Sequence, residues 1–408
     1  MSIWNVAGRW ARSVVQQPPA PSTANEARPK DGAGAASGSA QAKDSFTPSP
    51  SPGPSPTRPD LSGGANEGPS GYSKPVHADE LPDIQNGTGV LTLNLANGAG
   101  SEYRTAKNRE EQAELIRETG ATIAGFQEVD IGVDRSGNAN TALDIARHLN
   151  PAFEAFKSGT VPTVGLHEDA PATAIRQGAD GTTLYQTPEG TLVTGESFSG
   201  DDRSIKGDTG ADATYGNAIY VGAPDKVVDA YTVTLPAAES GGPAVSSKED
   251  LAALGDGKLT ESERKALGER NEALRKNSPS EPRTALVTRV VGPDGQEKSI
   301  INVHLAAGKE GAGLREKQLQ FLAEVARAEA KGPPARELVV MGDFNDSTEN
   351  VGKALEGAGL HRVVGGKKAN GDNFDQVWVS GGLDTHNAAQ VKTDGVSDHA
   401  HAGYAIIR

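Results

Sequence analysis

The sequence predicts a mixed α/β domain, with much of its sheet pairing antiparallel, over residues 87–408. Three observations carry that expectation. Short apolar runs outnumber helical patterns. Several of those runs follow one another with no helix between them, which argues against a doubly wound parallel sheet. The apolar residues are also distributed unevenly. The 408-residue chain is only 35% hydrophobic, but thirteen of its 25 prolines fall between Pro18 and Pro82. Without that stretch, the remainder has enough apolar surface for a sizeable core.

The arm comes first. Residues 18–86 read as a Pro/Ser/Gly-rich linker, with Pro48-Ser49-Pro50-Ser51-Pro52-Gly53-Pro54 as its most biased part. Such a composition cannot bury enough apolar surface to offset the entropy of ordering, so disorder is expected. In residues 1–17, Ile3, Trp4, Ala7, Trp10, Ala11, Val14 and Val15 fall at helical spacing, with Arg9 and Arg12 between them. A short amphipathic helix there would suit a membrane surface, a partner or a specialised secretion apparatus. A frayed helix with no role is the plainer reading. The segment lacks the uninterrupted apolar core of a signal peptide, and no apolar run in the chain approaches a bilayer span.

Order is expected from Gly89. Val90-Leu91-Thr92-Leu93-Asn94-Leu95 is a strand pattern, and residues 103–119 form a polar helix ended by Gly120. Ala121-Thr122-Ile123-Ala124-Gly125-Phe126 is a buried strand, and residues 141–149 are helical. Residues 157–214, rich in Gly, Thr and Asp, read as a long surface insertion that can include a hairpin. Strands are expected at 217–221 and 227–235. A second insertion covers 236–282, helical over 261–276. Strands follow at 284–291, 299–305, 337–341, 374–379 and 402–407, with helices at 314–330 and 350–357.

Composition narrows the chemistry. The chain has no cysteine, which excludes disulfides, cysteine-ligated zinc and thiol nucleophiles. Its formal net charge of −14 argues against a broad basic surface gripping many phosphates. That charge is compatible with an enzyme that meets a polyanion through one metal ion and a few local cations. Asp256-Gly257-Lys258-Leu259-Thr260-Glu261-Ser262-Glu263 imitates the second half of an EF-hand loop. The first two ligand positions would be Ala252 and Leu254, which cannot bind calcium, so this is a turn and a capped helix.

Polar residues recur at strand ends: Asn94, Glu128, His304, Asp343 with Asn345, Asp375, and Asp398 with His399. One such residue is ordinary, but six places in one chain suggest a single convergent site. Carboxylates and amide oxygens suit a hard cation such as Mg2+ or Mn2+, and a His paired with an Asp can orient water and manage protons.

The ordered set Leu93-Asn94, Gln127-Glu128-Val129-Asp130, Tyr215-Gly216-Asn217-Ala218, Val303-His304-Leu305, Gly342-Asp343-Phe344-Asn345, Asp375-Gln376-Val377 and Ser397-Asp398-His399 resembles the endonuclease/exonuclease/phosphatase superfamily, deoxyribonuclease I-like. The resemblance spans about residues 89–408. It implies a four-layer sandwich of two packed β-sheets with helices outside and the site at one end. It implies Glu128 as main metal ligand, Asp398 completing the metal site, and Asn94 at the metal or holding its water. Asp343 would orient the attacking water and Asn345 would bind a phosphate oxygen. His399 would contact phosphate as base or electrostatic stabiliser, with Asp375 fixing its ring. His304 would stabilise phosphate or protonate the leaving group. Asn217 and Tyr215 are candidate substrate contacts, with structural hydrogen bonding and packing as their plainer roles. Arg135 and Lys309 are cations that could attract phosphate.

The implied activity is phosphodiester hydrolysis with Mg2+ or Mn2+. Nucleic acid, DNA above all, is the first substrate. A lipid or sugar-phosphate ester is the alternative, and an inactive binding scaffold the second alternative. A nuclease predicts a locally basic groove, and a lipid enzyme predicts exposed apolar residues beside the site. No stable oligomer is expected. The arm fits an exported effector and equally a tethered cytoplasmic enzyme.

Overall fold

The computed structural model describes residues 75–84, 86–166, 168–199, 213–237, 254, 257–368 and 371–408. The amphipathic segment 1–17 and most of the linker lie outside them. The strands in chain order are β1 (Thr88–Asn94), β2 (Ile123–Val133), β3 (Ala139–Asn140), β4 (Thr163–Gly165), β5 (Ala174–Gln177), β6 (Thr182–Thr187), β7 (Gly190–Ser199), β8 (Thr214–Gly222), β9 (Lys226–Thr234), β10 (Thr284–Val291), β11 (Glu297–His304), β12 (Glu337–Asp343), β13 (Leu360–Lys368), β14 (Gly371–Ser380), β15 (Thr385–Lys392) and β16 (His401–Ile407). The helices are α1 (Ala106–Thr119), α2 (Thr141–Leu149), α3 (Glu261–Lys276), α4 (Ala312–Lys331) and α5 (Thr348–Leu355).

The strands form two sheets. One runs β15-β16-β1-β2-β8-β7-β6-β5-β4, with β3 paired to β2, and the other runs β13-β14-β12-β11-β10-β9. Among the described strands, β1/β2, β4/β5 and β11/β12 pair in parallel. Alternation along each strand feeds two cores at once. Val90 and Ile123 pack between the sheets with Ile219, Leu286, Ile300 and Met341. Leu91, Leu93, Ala124 and Phe126 face outward onto Ile116 of α1 and Ile145 of α2. On the far side, Val303 and Val340 meet Leu322 of α4 and Leu355 of α5. Three apolar layers between four structural layers give the expected sandwich.

Local signals set the helix ends. Thr105 caps α1 by accepting from Asn108 N–H at 3.0 Å, and Gly120 closes it in the left-handed region at φ 70°. Thr260 and Glu263 form a reciprocal capping box on α3. The half EF-hand is filled by the protein itself: the Arg289 guanidinium donates to the carbonyls of Leu254 and Gly257.

The structure corrects three boundaries. Among the described residues of 157–214, β4 to β7 extend the first sheet and β7 is buried along most of its length, so this part is no surface insertion. Their Gly and Thr content reflects close sheet approach: a Cβ on Gly195 would lie 2.6 Å from Thr232 Oγ1. Within 236–282, α3 is anchored in the core by buried Arg264, Leu267 and Asn271. The linker ends near residue 74, since Val76 bridges to Val391 and Leu81 is fully buried. A chain starting at residue 87 is therefore expected to melt about 5 °C below one starting at residue 75, chiefly from exposing the site that Leu81 fills. Calorimetry of the two chains checks this.

Candidate active site

Both central strand pairs deliver their polar residues to the same end of the sandwich. Asn94 pairs with Gln127 at the ends of parallel β1 and β2. His304 pairs with Asp343 at the ends of parallel β11 and β12, and Asp343 pairs with Asp375 on antiparallel β14. Below this end the interface between the sheets turns polar. Gln127 Nε2 donates to Thr92 Oγ1 at 3.0 Å and to Asn302 Oδ1 at 2.6 Å. Asn302 in turn donates to the carbonyls of Phe126 and Ala218.

The acids converge on Asn94, whose Nδ2 lies 3.3 Å from Glu128 Oε1, 3.2 Å from Asp343 Oδ2 and 3.4 Å from His399 Nε2. Its oxygen accepts from Ala96 N–H at 2.9 Å. The Asn94 amide turns its nitrogen to the acids and acts as a donor between them.

Glu128 accepts from Gly98 N–H at 2.6 Å. Burial raises its pKa, and the Asp398 carboxylate adds to that, against the hydrogen bonds from Gly98 and Asn94 and the charge of Arg283. Asp343 is held by Asn345 N–H at 2.9 Å and Asn345 Nδ2 at 3.3 Å. Its carboxyl is pushed up to about 6, by burial first and by Asp375 next. The chain crosses to Asp343 through Gly342, where a Cβ would sit 2.0 Å from Val303 O, so only glycine fits.

His399 Nδ1 pairs with Asp375 Oδ2 at 2.6 Å. Burial lowers its pKa, but Asp375, through charge and hydrogen bond, together with Asp343 and Asp398, outweighs burial and raises it to about 10. The ring is thus a cation at neutral pH. Ser397 Oγ accepts from His399 N–H at 3.1 Å and donates to Asn94 O at 2.7 Å, tying this loop to β1.

Other expectations change. His304 Nε2 lies 3.3 Å from Asp343 Oδ2, while its Nδ1 is buried without a partner. Burial, then Arg283 and His399, lowers its pKa well below the usual value. The Asn345 amide also donates to Leu305 O at 3.1 Å, so its nitrogen serves the loop as well as Asp343. Asn217 is buried and donates to Thr284 O at 3.1 Å across the two sheets, a structural link and not a substrate contact. Tyr215 is buried against Phe198 and under Arg135. Arg135 is bound through two nitrogens to buried Asp130, and Lys309 is exposed.

A further cation beside the cluster is Arg283. It is buried, paired with Glu281 at 3.0 Å through Nη2, and its Nε has no partner. Its charge acts on Glu128, Tyr215 and His304. The available signal in the sequence was a lone arginine directly before an apolar strand.

Oxygen donors dominate the cluster, which fits a hard divalent ion. Among the described residues no three His, Asp or Glu side chains converge as a closed cage. Magnesium needs none, because it is commonly held through one or two carboxylates and keeps several waters. Asp398 is exposed, and its charge acts on Glu128.

A two-sheet sandwich ending in carboxylates, amides and a carboxylate-paired histidine defines an α/β-sandwich hydrolase. The chain belongs to the Endonuclease/Exonuclease/phosphatase family, whose model matches residues 91–399. Members of that family are typically metal-dependent phosphoester hydrolases. No curated protein matches the chain. Among solved structures it is similar to the human Nocturnin catalytic domain with bound sulfate anion, at 17% identity and TM-score 0.45, covering 79% of this chain and 94% of that one. It is also similar to truncated TDP2 of Caenorhabditis elegans, at 16% identity and TM-score 0.44, covering 78% and 96%. A third is an endonuclease/exonuclease/phosphatase of Beutenbergia cavernae, at 14% identity and TM-score 0.47, covering 79% and 72%.

Proposed function

We propose that the chain is a phosphodiesterase that cleaves nucleic acid, DNA first, by in-line attack of water with Mg2+ or Mn2+ bound. The observation that carries this reading is the continuous contact set Glu128–Asn94–Asp343 with His399–Asp375 beside it. Glu128 and Asp398 would hold the ion, which when bound neutralises phosphoryl charge and eases departure of the leaving oxygen. Asn94 keeps Glu128 and Asp343 apart and oriented. Asp343, ionised above about pH 6, accepts a hydrogen bond from the attacking water and aims it. His399, protonated and fixed by Asp375, donates from Nε2 to a phosphate oxygen. Arg283 places its positive charge behind Glu128 and His304.

The substrate class is favoured by what surrounds the site. Among the described residues Phe374, beside Asp375, is the one exposed large hydrophobic side chain. A lipid surface calls for a contiguous apolar patch. Arg283 supplies local positive charge in a chain of net charge −14. Replacing Arg283 with alanine is expected to raise KM about tenfold with little change in kcat, the effect of losing one nearby positive charge felt equally in ground and transition states. Steady-state kinetics on a labelled oligonucleotide checks it.

The direct test is supercoiled plasmid with and without Mg2+ or Mn2+, beside a Glu128→Ala, His399→Ala double variant. Metal-dependent nicking by the unaltered chain alone supports the reading. Intact plasmid throughout, with turnover of sphingomyelin vesicles or a sugar phosphate, would replace nucleic acid by that ester.

A further inference from the structure

We propose that Asn97 is a positioning residue that sets the direction of the Glu128 carboxylate by holding the Glu128 backbone carbonyl. Glu128 adopts φ +59°, the left-handed region that a β-carbon disfavours. It does so within a β-bulge. Between β2 and β8 the register steps from Phe126↔Ala218 to Val129↔Gly216, so Gln127 and Glu128 together oppose Asn217. The extra residue breaks the two-residue alternation. Gln127 can then stay between the sheets on Thr92 and Asn302, while Glu128 turns to Asn94 and Gly98.

A bulge that bends a strand this way needs its freed backbone groups satisfied. Asn97 Nδ2 donates to Glu128 O at 2.7 Å and to Thr141 Oγ1 at 3.1 Å. Thr141 Oγ1 in turn donates to Asp130 O and accepts from Asp130 N–H, both at 3.2 Å. One amide therefore ties the bulge to the first turn of α2. The next residue holds the other end of Glu128, since Gly98 N–H donates to Oε2 and a Cβ there would sit 2.6 Å from that oxygen. The loop is itself fixed: Arg104 Nε donates to Asn97 O at 2.8 Å, and Arg104 Nη2 donates to Ala99 O. Asn97 is 1% exposed and cannot touch a substrate, so it acts only through Glu128.

The consequence for an ion rests on the phosphodiesterase reading; the clamp does not. The test uses the intact chain with Asn97→Asp, which keeps the shape and loses the donor, Asn97→Ala, and Thr141→Val, which removes the second anchor. Hydrogen exchange in EDTA reads the clamp directly. Peptides covering residues 126–130 are expected to exchange at least tenfold faster in both Asn97 variants, with a smaller change in Thr141→Val. Electron paramagnetic resonance of free Mn2+ reads the consequence. Affinity should fall about 10–100-fold, as for other supports of metal ligands. Most of the lost activity should return at saturating Mn2+, which a general folding defect would not allow. Unchanged exchange, or Mn2+ affinity within twofold of the unaltered chain, would overturn the proposal. No Mn2+ uptake by the unaltered chain would sink the phosphodiesterase reading instead, and the exchange arm would still decide the clamp.

Discussion

Replacing His399 with alanine is expected to lower kcat for plasmid cleavage about 10³-fold, with KM and melting temperature close to those of the unaltered chain. The magnitude follows from charge. The ring is a cation at neutral pH because three carboxylates, Asp375 foremost, outweigh the effect of its burial. A cation aimed at a phosphoryl group gains most when negative charge peaks in the transition state, so kcat falls more than KM rises. The sign of the pH dependence separates the two roles open to this histidine. As an electrostatic donor it must be protonated, so activity should persist through neutral pH and be lost as pH rises through about 10. As a general base it must be neutral, and activity would climb toward that pH. Asp375→Asn removes the partner at 2.6 Å and lowers the ring's proton affinity. Its alkaline limb is expected to move toward neutral pH, with kcat down about 10²-fold. A pH–rate profile that rises steadily to pH 10 in the unaltered chain would sink the donor role.

The catalytic strands were legible because each is an apolar run with a polar residue at its end. Val303-His304 and Met341-Gly342-Asp343 need no tertiary information to be noticed, and the structure pairs them in register. The strands that went unread have a different physical character. β7 carries Gly190, Thr191, Thr194, Gly195 and Glu196 around Leu192 and Val193, and at Gly195 the second sheet lies too close for a larger side chain. Its burial comes from neighbours and not from its own hydrophobicity. The site divides the same way. Acids announce themselves by type, but supporting residues are defined by partners far along the chain. Asn217 answers to Thr284, and Asn97 to Glu128 and Thr141. No local pattern marks either. Arg135 reads as a phosphate-attracting cation in the sequence, but Asp130, five residues earlier, binds its Nε and Nη2.

The largest expected effect on stability lies at the other end of β10. Glu329 on α4 is fully buried and accepts from Arg289 at 3.0 and 2.7 Å, from Ser299 Oγ at 2.6 Å and from Tyr231 OH at 2.8 Å, with Arg336 at 3.6 Å. Arg289 continues to Asp229, which also binds Arg264 of α3. The network thus joins α3 and α4 to the second sheet, which is why the stretch once read as an insertion is part of the core. Such a network adds little over a well-packed apolar replacement, but removing one member strands the others. Glu329→Gln is expected to destabilise the fold by about 3 kcal/mol, roughly 6 °C in melting temperature. Burial raises the Glu329 pKa, yet Arg289, Ser299 and Tyr231 outweigh it and hold it below the ordinary value of 4.5. A depressed carboxylate contributes stability above its unfolded pKa and loses it as pH falls through the folded one. The melting-temperature gap between the unaltered chain and Glu329→Gln should therefore be full at pH 7 and narrow once pH drops below about 4. A gap that stays constant to pH 3 would mean that the carboxylate's charge is not what Arg289 and Arg336 require.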